Sequence, residues 1–108
     1  MKNGLIEYSD GSKYYYLNDK LHRKDGPAIE DNCTQEWYLN GKLHREDGPA
    51  IEWSDGDKFW SLNGKLHRED GPAAEYANGD KFWYLNGKRI DCSTQEQFKR
   101  LLKLKAFW

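Results

Sequence analysis

Several features that are common in folded proteins are scarce in this sequence. Hydrophobic residues make up only 37% of it, and none of the apolar runs is long enough to span a bilayer. It has two cysteines, Cys33 and Cys92, which favours free thiols over a disulfide framework. The formal net charge is −1, so we expect no overall attraction to nucleic acid or to an anionic membrane. Residues Met1 to Gly4 have no apolar core of the signal-peptide kind, and we therefore expect a cytoplasmic protein without a membrane partner.

Aromatic residues, by contrast, are abundant. They make up 15% of the 108 residues, with five Trp and seven Tyr, while charged residues reach 32%. A disordered chain would lack so many rings. We therefore expect a single domain over 1–108 with a thin architecture, in which large rings supply most of the buried area.

An internal repeat organises the chain. The string Leu-His-Arg starts at Leu21, Leu43 and Leu66, which lie 22 and 23 residues apart. One ring recurs in the same phase of each copy: Tyr15, Trp37, Trp60 and Trp83. The repeats cover 4–88 in nearly four copies, and both ends are atypical, as expected where a terminal unit lacks a neighbour.

Each copy contains signals for strands and tight turns. In the third copy, 50–53 precedes Asp55-Gly56, and 58–62 runs into Asn63-Gly64, the strongest short-range hairpin dipeptide. The predicted fold is therefore mainly β, an antiparallel meander of tandem hairpin repeats of about 23 residues. We expect a single elongated twisted sheet with about two strands per repeat, seven or eight in total, followed by a C-terminal capping helix.

Alternation divides the second strand of each copy between two faces. One face is apolar in every copy and is predicted to be the core: Tyr15 and Leu17, Trp37 and Leu39, Trp60 and Leu62, Trp83 and Leu85. The opposite face is variable and is predicted to be surface: Tyr14 and Tyr16, Glu36 and Tyr38, Phe59 and Ser61, Phe82 and Tyr84. Its six rings (Tyr14, Tyr16, Tyr38, Phe59, Phe82 and Tyr84) are the first predicted partner-binding surface, because Tyr and Phe are frequent in interface cores. The alternatives are that they pair across strands to stabilise a thin sheet, or that they pair with the sheet of another protomer.

The pattern becomes helical after Asp91. Ser93-Thr94-Gln95-Glu96 is typical of a capping box with Ser93 as the N-cap, and it predicts a helix over 93–105. The apolar arc of that helix carries Phe98, Leu101, Leu102, Leu104 and Trp108, with Lys105 intruding on it. The opposite arc, Lys99, Arg100 and Lys103, is the second predicted partner-binding surface. The alternative is a cap whose basic face is merely solvated.

The repeat itself is similar to a known pattern. Asn-Gly-Lys-Leu-His-Arg-Glu-Asp-Gly-Pro-Ala resembles the MORN-like variant repeats common in uncharacterised bacteriophage proteins, and the resemblance covers 4–88. It implies a curved or twisted run of hairpins used for binding, and it brings no catalytic residues. The usual His-Gly-x-Gly of MORN repeats is His-Arg-x-Asp-Gly-Pro here, so the lipid and membrane roles suggested for some MORN proteins do not carry over. A phage origin would imply a small accessory protein that binds and inhibits a host protein in the host cytoplasm.

The repeated charged residues invite two chemical hypotheses. Equivalent His22, His44 and His67 should lie about 9–10 Å apart, two strand spacings, which is too far for a shared zinc ion. We therefore predict no metal site, and a repeated hydrogen bond from each His to the adjoining loop. Each Arg is followed two positions later by an Asp, and we predict that the pair braces its own Asp-Gly-Pro loop rather than a ligand.

Together these patterns favour a binding protein over an enzyme. Near-identical copies cannot supply the one asymmetric constellation that catalysis needs, and no nucleophile motif or cofactor motif is present. The partner we expect is a protein. Nucleic acid or a nucleotide, held by rings and Arg side chains, is the alternative, and a structural component that forms a homo-oligomer is another.

Overall fold

The computed structural model describes residues 1–104, and within them the chain forms fourteen short strands and one helix. Their bounds are β1 Gly4–Glu7, β2 Lys13–Leu17, β3 Lys20–Leu21, β4 Ile29–Glu30, β5 Thr34–Glu36, β6 Tyr38–Leu39, β7 Lys42–Leu43, β8 Ile51–Trp53, β9 Lys58–Phe59, β10 Ser61–Leu62, β11 Lys65–Leu66, β12 Ala74–Glu75, β13 Lys81–Leu85, β14 Lys88–Ile90 and α1 Gln95–Lys103.

The predicted antiparallel meander is confirmed. The main sheet has the order β1-β2-β4-β5-β8-β9-β12-β13-β14, in which consecutive strands are antiparallel neighbours. The molecule is elongated and thin, measuring 47 × 30 × 18 Å. No helix in the part of the chain described by the structure is long and apolar enough to cross a membrane.

The prediction of two strands per repeat was too simple, because the second strand of the two middle copies breaks at its tryptophan. Trp37 separates β5 from β6, and Trp60 separates β9 from β10. The Trp37 N–H donates to Ala50 O, immediately before β8 of the main sheet, whereas the Trp37 carbonyl accepts from His44 N–H, immediately after β7 of the hairpin. At these positions the chain therefore leaves the main sheet and enters a separate hairpin.

The hairpins form a second row along the molecule. Their turns carry Asn and Gly, with Asn40 at φ 51° and Gly41 at φ 80°, the pair of positive values that a type I′ turn requires. Gly41 N–H donates to Leu21 O and Arg45 N–H donates to Ser61 O, so each hairpin is bonded to its neighbours. Two parallel rows of backbone hydrogen bonds thus join the repeats.

The register of the main sheet defines two faces. Directly opposite residues share a face, and successive residues alternate between faces. The face that carries Tyr15, Trp37, Trp60 and Trp83 also carries a ladder of Glu30, Glu52, Lys58, Glu75 and Lys81, and we call it the covered face. The other face, the open face, carries Ile6, Tyr14, Ile29, Glu36, Ile51, Phe59, Ala74 and Phe82.

The N-terminal end imitates a preceding hairpin. Asp19 N–H donates to Lys2 O, as Gly41 N–H does to Leu21 O in the next copy. Asn18 N–H donates to Asn3 Oδ1 at 2.8 Å. The first three residues therefore satisfy donors that a previous repeat would otherwise satisfy.

The C-terminal helix caps the other end, and its start differs from the prediction. Thr94, not Ser93, is the N-cap, because Thr94 Oγ1 accepts from Gln97 N–H at 3.2 Å. Gln97 rather than Glu96 reaches back, and its Oε1 accepts from Ser93 N–H at 2.8 Å. The helix runs over Gln95–Lys103 with Leu104 as its C-cap, so the predicted span of 93–105 was too long at both ends. The predicted roles of Lys105 and Trp108 lie outside the described residues.

The burial of single residues also corrects two predictions. Ser61, predicted to be surface, is only 1% exposed, and its hydroxyl donates to Leu43 O at 3.0 Å between two stacked hairpins. Leu17, predicted to be core, is exposed, because it lies at the end of β2 next to the turn. Both errors come from extending strict alternation past the point where the strand turns into the hairpin.

Candidate functional site

The covered face is built around one contact that recurs in three copies. In the second copy the Arg45 guanidinium lies over the Trp37 ring, with its carbon 3.9 Å from the ring centroid. Arg45 Nε donates to Asp47 at 2.9 Å, and its Nη1 donates to the Pro49 carbonyl at 3.1 Å and to Glu52 at 3.5 Å. A planar guanidinium is suited to such simultaneous stacking and forked hydrogen bonding.

The same arrangement recurs in the neighbouring copies. Arg23 lies 4.1 Å from the Tyr15 ring centroid, and Arg68 lies 3.9 Å from the Trp60 ring centroid. The glycine of the Asp-Gly-Pro loop is needed for close approach, because a Cβ on Gly48 would lie 2.9 Å from Arg45 Cζ. The prediction that each Arg and Asp brace their own loop is confirmed.

The histidines connect successive repeats. The Nδ1 atoms of His22, His44 and His67 each accept a 2.9 Å hydrogen bond from the backbone N–H of Asn40, Asn63 and Asn86, respectively. Each acceptor nitrogen therefore carries no proton in this arrangement. The predicted hydrogen bond does recur in each copy, but its partner is the hairpin turn of the next repeat. Across residues 1–104 no three His, Cys, Asp or Glu side chains gather as a metal-ligand set.

The fourth copy has no arginine over its ring, since Asp91 occupies that position. Here the helix replaces the loop. Trp83 is 3% exposed, its Nε1 donates to Gln95 at 2.8 Å, and its ring lies 6.3 Å from that of the fully buried Phe98. Trp83, Ile90 and Phe98 form a cluster of buried hydrophobic residues beneath the helix.

A groove of about 610 Å³ lies between two loops of the covered face. Arg45, Asp47, Arg68 and Asp70 line it, and these groups already pair within their own loops. A small-molecule site is usually lined mainly by apolar groups with a few polar ones. This groove is lined mainly by charged side chains with internal partners, so it offers little for a ligand.

The open face carries aromatic rings in edge-to-face contact. Tyr8 and Tyr14 have ring centroids 5.3 Å apart at 83°. Tyr76 stands between Phe59 and Phe82, with centroid distances of 5.4 Å and 5.9 Å. Such pairs contribute about 0.5–1.5 kcal/mol beyond the area that they bury.

The six aromatic residues predicted for partner binding are all half-buried: Tyr14, Tyr16, Tyr38, Phe59, Phe82 and Tyr84. The structure brings Phe59 and Phe82 together through Tyr76, whereas Tyr14 lies against Tyr8 instead. Some of these rings therefore pair with other rings, as one prediction held, and all six keep part of their surface accessible, as the other held.

Sequence reasoning missed the most exposed rings of the open face. Tyr8, Trp53 and Tyr76 are 45%, 42% and 38% exposed. They occupy one phase of the first strand in their copies, two residues after Ile6, Ile51 and Ala74, respectively. If the alternation of side chains between the two faces had been applied to the first strand of each copy as well as to the second, these three rings would have been assigned to the open face.

The basic residues of the helix form a separate surface. Lys99, Arg100 and Lys103 are exposed. The helix packs on Trp83, so it lies on the covered side, and Lys99 lines a groove there with Glu75. The structure therefore does not bring the two predicted partner-binding surfaces together.

Comparison of the chain with protein-family models, with curated proteins and with solved structures finds no match in any of the three. The likeness to MORN-like variant repeats therefore stands on the repeat motif alone.

Proposed function

We propose that this chain is a non-enzymatic protein-binding repeat whose open face docks a partner protein. The observation that carries the proposal is the row of apolar and aromatic side chains along the open face, broken by one carboxylate, Glu36. Within this face Tyr8, Trp53 and Tyr76 keep 38–45% of their surface exposed. Exposed apolar surface of this kind marks interaction sites, and aromatic residues contribute strongly to the energetics of protein interfaces.

The covered face supports the non-enzymatic part of the proposal. Its titratable side chains already form structural contacts within the protein. His44 Nδ1 accepts from Asn63 N–H, and Arg45 bonds Asp47 while it stacks on Trp37. The same contacts weigh against the nucleic-acid alternative, since the arginines that would contact phosphates are already paired. The exposed Lys99, Arg100 and Lys103 remain as its basis.

The narrower part of the proposal is that the partner is a host protein and that binding inhibits it. That part rests on the resemblance of the repeat to bacteriophage sequences. A purification of the partner followed by an assay of its own activity tests it.

Affinity capture with matched variants tests the proposal. Phe59→Ser with Phe82→Ser alters the open face, whereas Lys58→Ser with Lys81→Ser alters the neighbouring residues on the covered face. Circular dichroism checks that both variants remain folded. We expect the first variant to lose the captured protein and the second to keep it, with little change in capture between low and high salt.

Loss of capture by Lys99→Ser with Lys103→Ser, together with a steep decrease at high salt, would instead favour a polyanionic partner bound by the helix. A large stable oligomer in size-exclusion chromatography, with the open face protected, would favour self-assembly.

A further inference from the structure

Glu36 interrupts the apolar row near its middle. In the main sheet it lies directly between Ile29 and Ile51, on the open face. The corresponding positions of the other copies carry Tyr14, Phe59 and Phe82. A carboxylate therefore stands at the one place along this row where the repeat otherwise places a ring.

Glu36 has a hydrogen-bond donor but no cation. Its Oε1 accepts from the Tyr38 hydroxyl at 2.7 Å, and no ion pair joins it to any Lys, Arg or His of residues 1–104. The strand carboxylates of the covered face differ, because Glu30, Glu52 and Glu75 lie 2.6, 3.5 and 3.8 Å from an arginine nitrogen, respectively. Glu36 is half-buried, so its charge is partly removed from water without an internal counter-ion.

Two tyrosines near Glu36 have a raised pKa, mainly because of burial and to a smaller extent because of nearby negative charge. Burial raises the pKa of Tyr38, and its hydrogen bond to Glu36 raises it further. Burial also raises the pKa of Tyr14, with smaller contributions from the charges of Asp31 and Glu36 among others. Both hydroxyls therefore stay protonated near neutral pH.

The ends of the open face already hold cations of the chain itself. Lys2 Nζ lies 5.0 Å from the centroid of the Tyr16 ring, and the Arg89 guanidinium lies 4.6 Å from that of Phe82. Between these ends, the structure places no described cation over the rings of Tyr14 or Phe59. The rings thus accept cations at both ends, and the negative centre lacks one.

We propose that the open face recognises a protein segment that inserts an arginine side chain, flanked by apolar residues, onto Glu36. The inference rests on the proposed function and specifies the chemistry of the partner. Glu36 uses one oxygen for Tyr38, and a guanidinium can bond the carboxylate while its plane lies against neighbouring rings. Ile29 and Ile51 lie on either side of Glu36, and such apolar neighbours lower the local dielectric and so strengthen a charge pair.

Selection from a library of random peptides displayed on phage tests the inference. The baits are the wild-type protein, Glu36→Gln and the control Glu52→Gln, whose carboxylate belongs to the covered face and pairs with Arg45. Glu36→Gln keeps an oxygen for the Tyr38 hydroxyl and so preserves the fold. We expect the wild type and Glu52→Gln to enrich peptides with an arginine among apolar or aromatic residues, and Glu36→Gln to lose the arginine.

A synthetic copy of an enriched peptide then isolates the pair. Replacing its arginine by the neutral isostere citrulline should weaken binding to the wild type by at least about tenfold, and should hardly change binding to Glu36→Gln. Equal losses for both proteins, or enriched peptides without arginine, would overturn the inference and leave the proposed function intact. If the wild type enriches no peptide more strongly than the Phe59→Ser, Phe82→Ser variant does, both the inference and the proposed function would be overturned.

Discussion

Each of the four repeated rings of the covered face is covered by an arginine guanidinium or by the helix. The rings of the open face mainly contact one another. Trp37 lies beneath Arg45, and Trp83 lies beneath the helix that carries Phe98. Phe59, one residue from the break in its strand, contacts Tyr76 edge to face. Both faces carry several rings, so composition alone does not distinguish a face that stabilises the fold from one that is left to bind.

The difference lies in how many internal partners each residue has. Arg45 contacts a ring, two carboxylates and a carbonyl, so changing it disturbs four contacts at once. The copies accordingly repeat Arg-x-Asp-Gly-Pro almost unchanged. Positions of the open face hold Tyr14, Glu36, Phe59 and Phe82 in turn, because the sheet constrains them less.

The largest expected effect separates two adjacent residues. Trp83→Ala should destabilise the protein by about 3–5 kcal/mol, because it empties the core beneath the helix. Phe82→Ala should cost only about 1–2 kcal/mol, because Phe82 loses an edge-to-face contact and part of its buried area. Urea unfolding of both variants measures the difference. Equal losses would mean that the open face is buried as deeply as the covered one.

A smaller effect concerns the loop glycine. Gly48→Ala should displace the Arg45 guanidinium from the Trp37 ring, because the new Cβ would lie 2.9 Å from Arg45 Cζ. We expect a loss of about 1–2 kcal/mol in the free energy of unfolding. In an Arg45→Ala background the same substitution should cost much less, and a double-mutant cycle detects this coupling. Additive losses would contradict the idea that Gly48 makes room for the Arg45 guanidinium over the Trp37 ring.

The smallest effect concerns the bonds between repeats. His44→Ala leaves the Asn63 N–H without its acceptor and should cost about 1 kcal/mol. His44→Asn should restore part of that loss, because Asn3 already accepts from Asn18 N–H at the start of the chain. Thermal melts of the three proteins provide the comparison. A melting temperature unchanged by His44→Ala would show that water replaces the acceptor at no cost.

The meander and the roles of His44 and Arg45 could be predicted from the sequence, because the repeat shows the same residues in the same phase several times. The breaks at Trp37 and Trp60 could not, since Tyr15 makes the equivalent bonds, to Ala28 O and from His22 N–H, within the unbroken β2. The burial of Ser61 follows from the same departure from alternation.

The candidate site was predicted in part. Alternation found Phe59 and Phe82, but it left out Tyr76, which joins them. Whether Glu36 has an ion-pair partner depends on which Lys and Arg side chains lie near it in the folded protein, and the spacing of residues along the sequence does not reveal that. The N-cap was predicted one residue too early, because Ser93 and Thr94 are both suitable cap residues and the sequence does not say which of them accepts from Gln97 N–H.

Site-specific photo-crosslinking tests the central claim most directly. Benzoylphenylalanine is placed at Phe59 on the open face or at the adjacent Lys58 on the covered face, and the protein is irradiated in the cells that naturally contain it. The account predicts a discrete crosslinked protein from position 59 that is absent from position 58. A crosslinked protein from position 58 alone, or none from position 59, would contradict it.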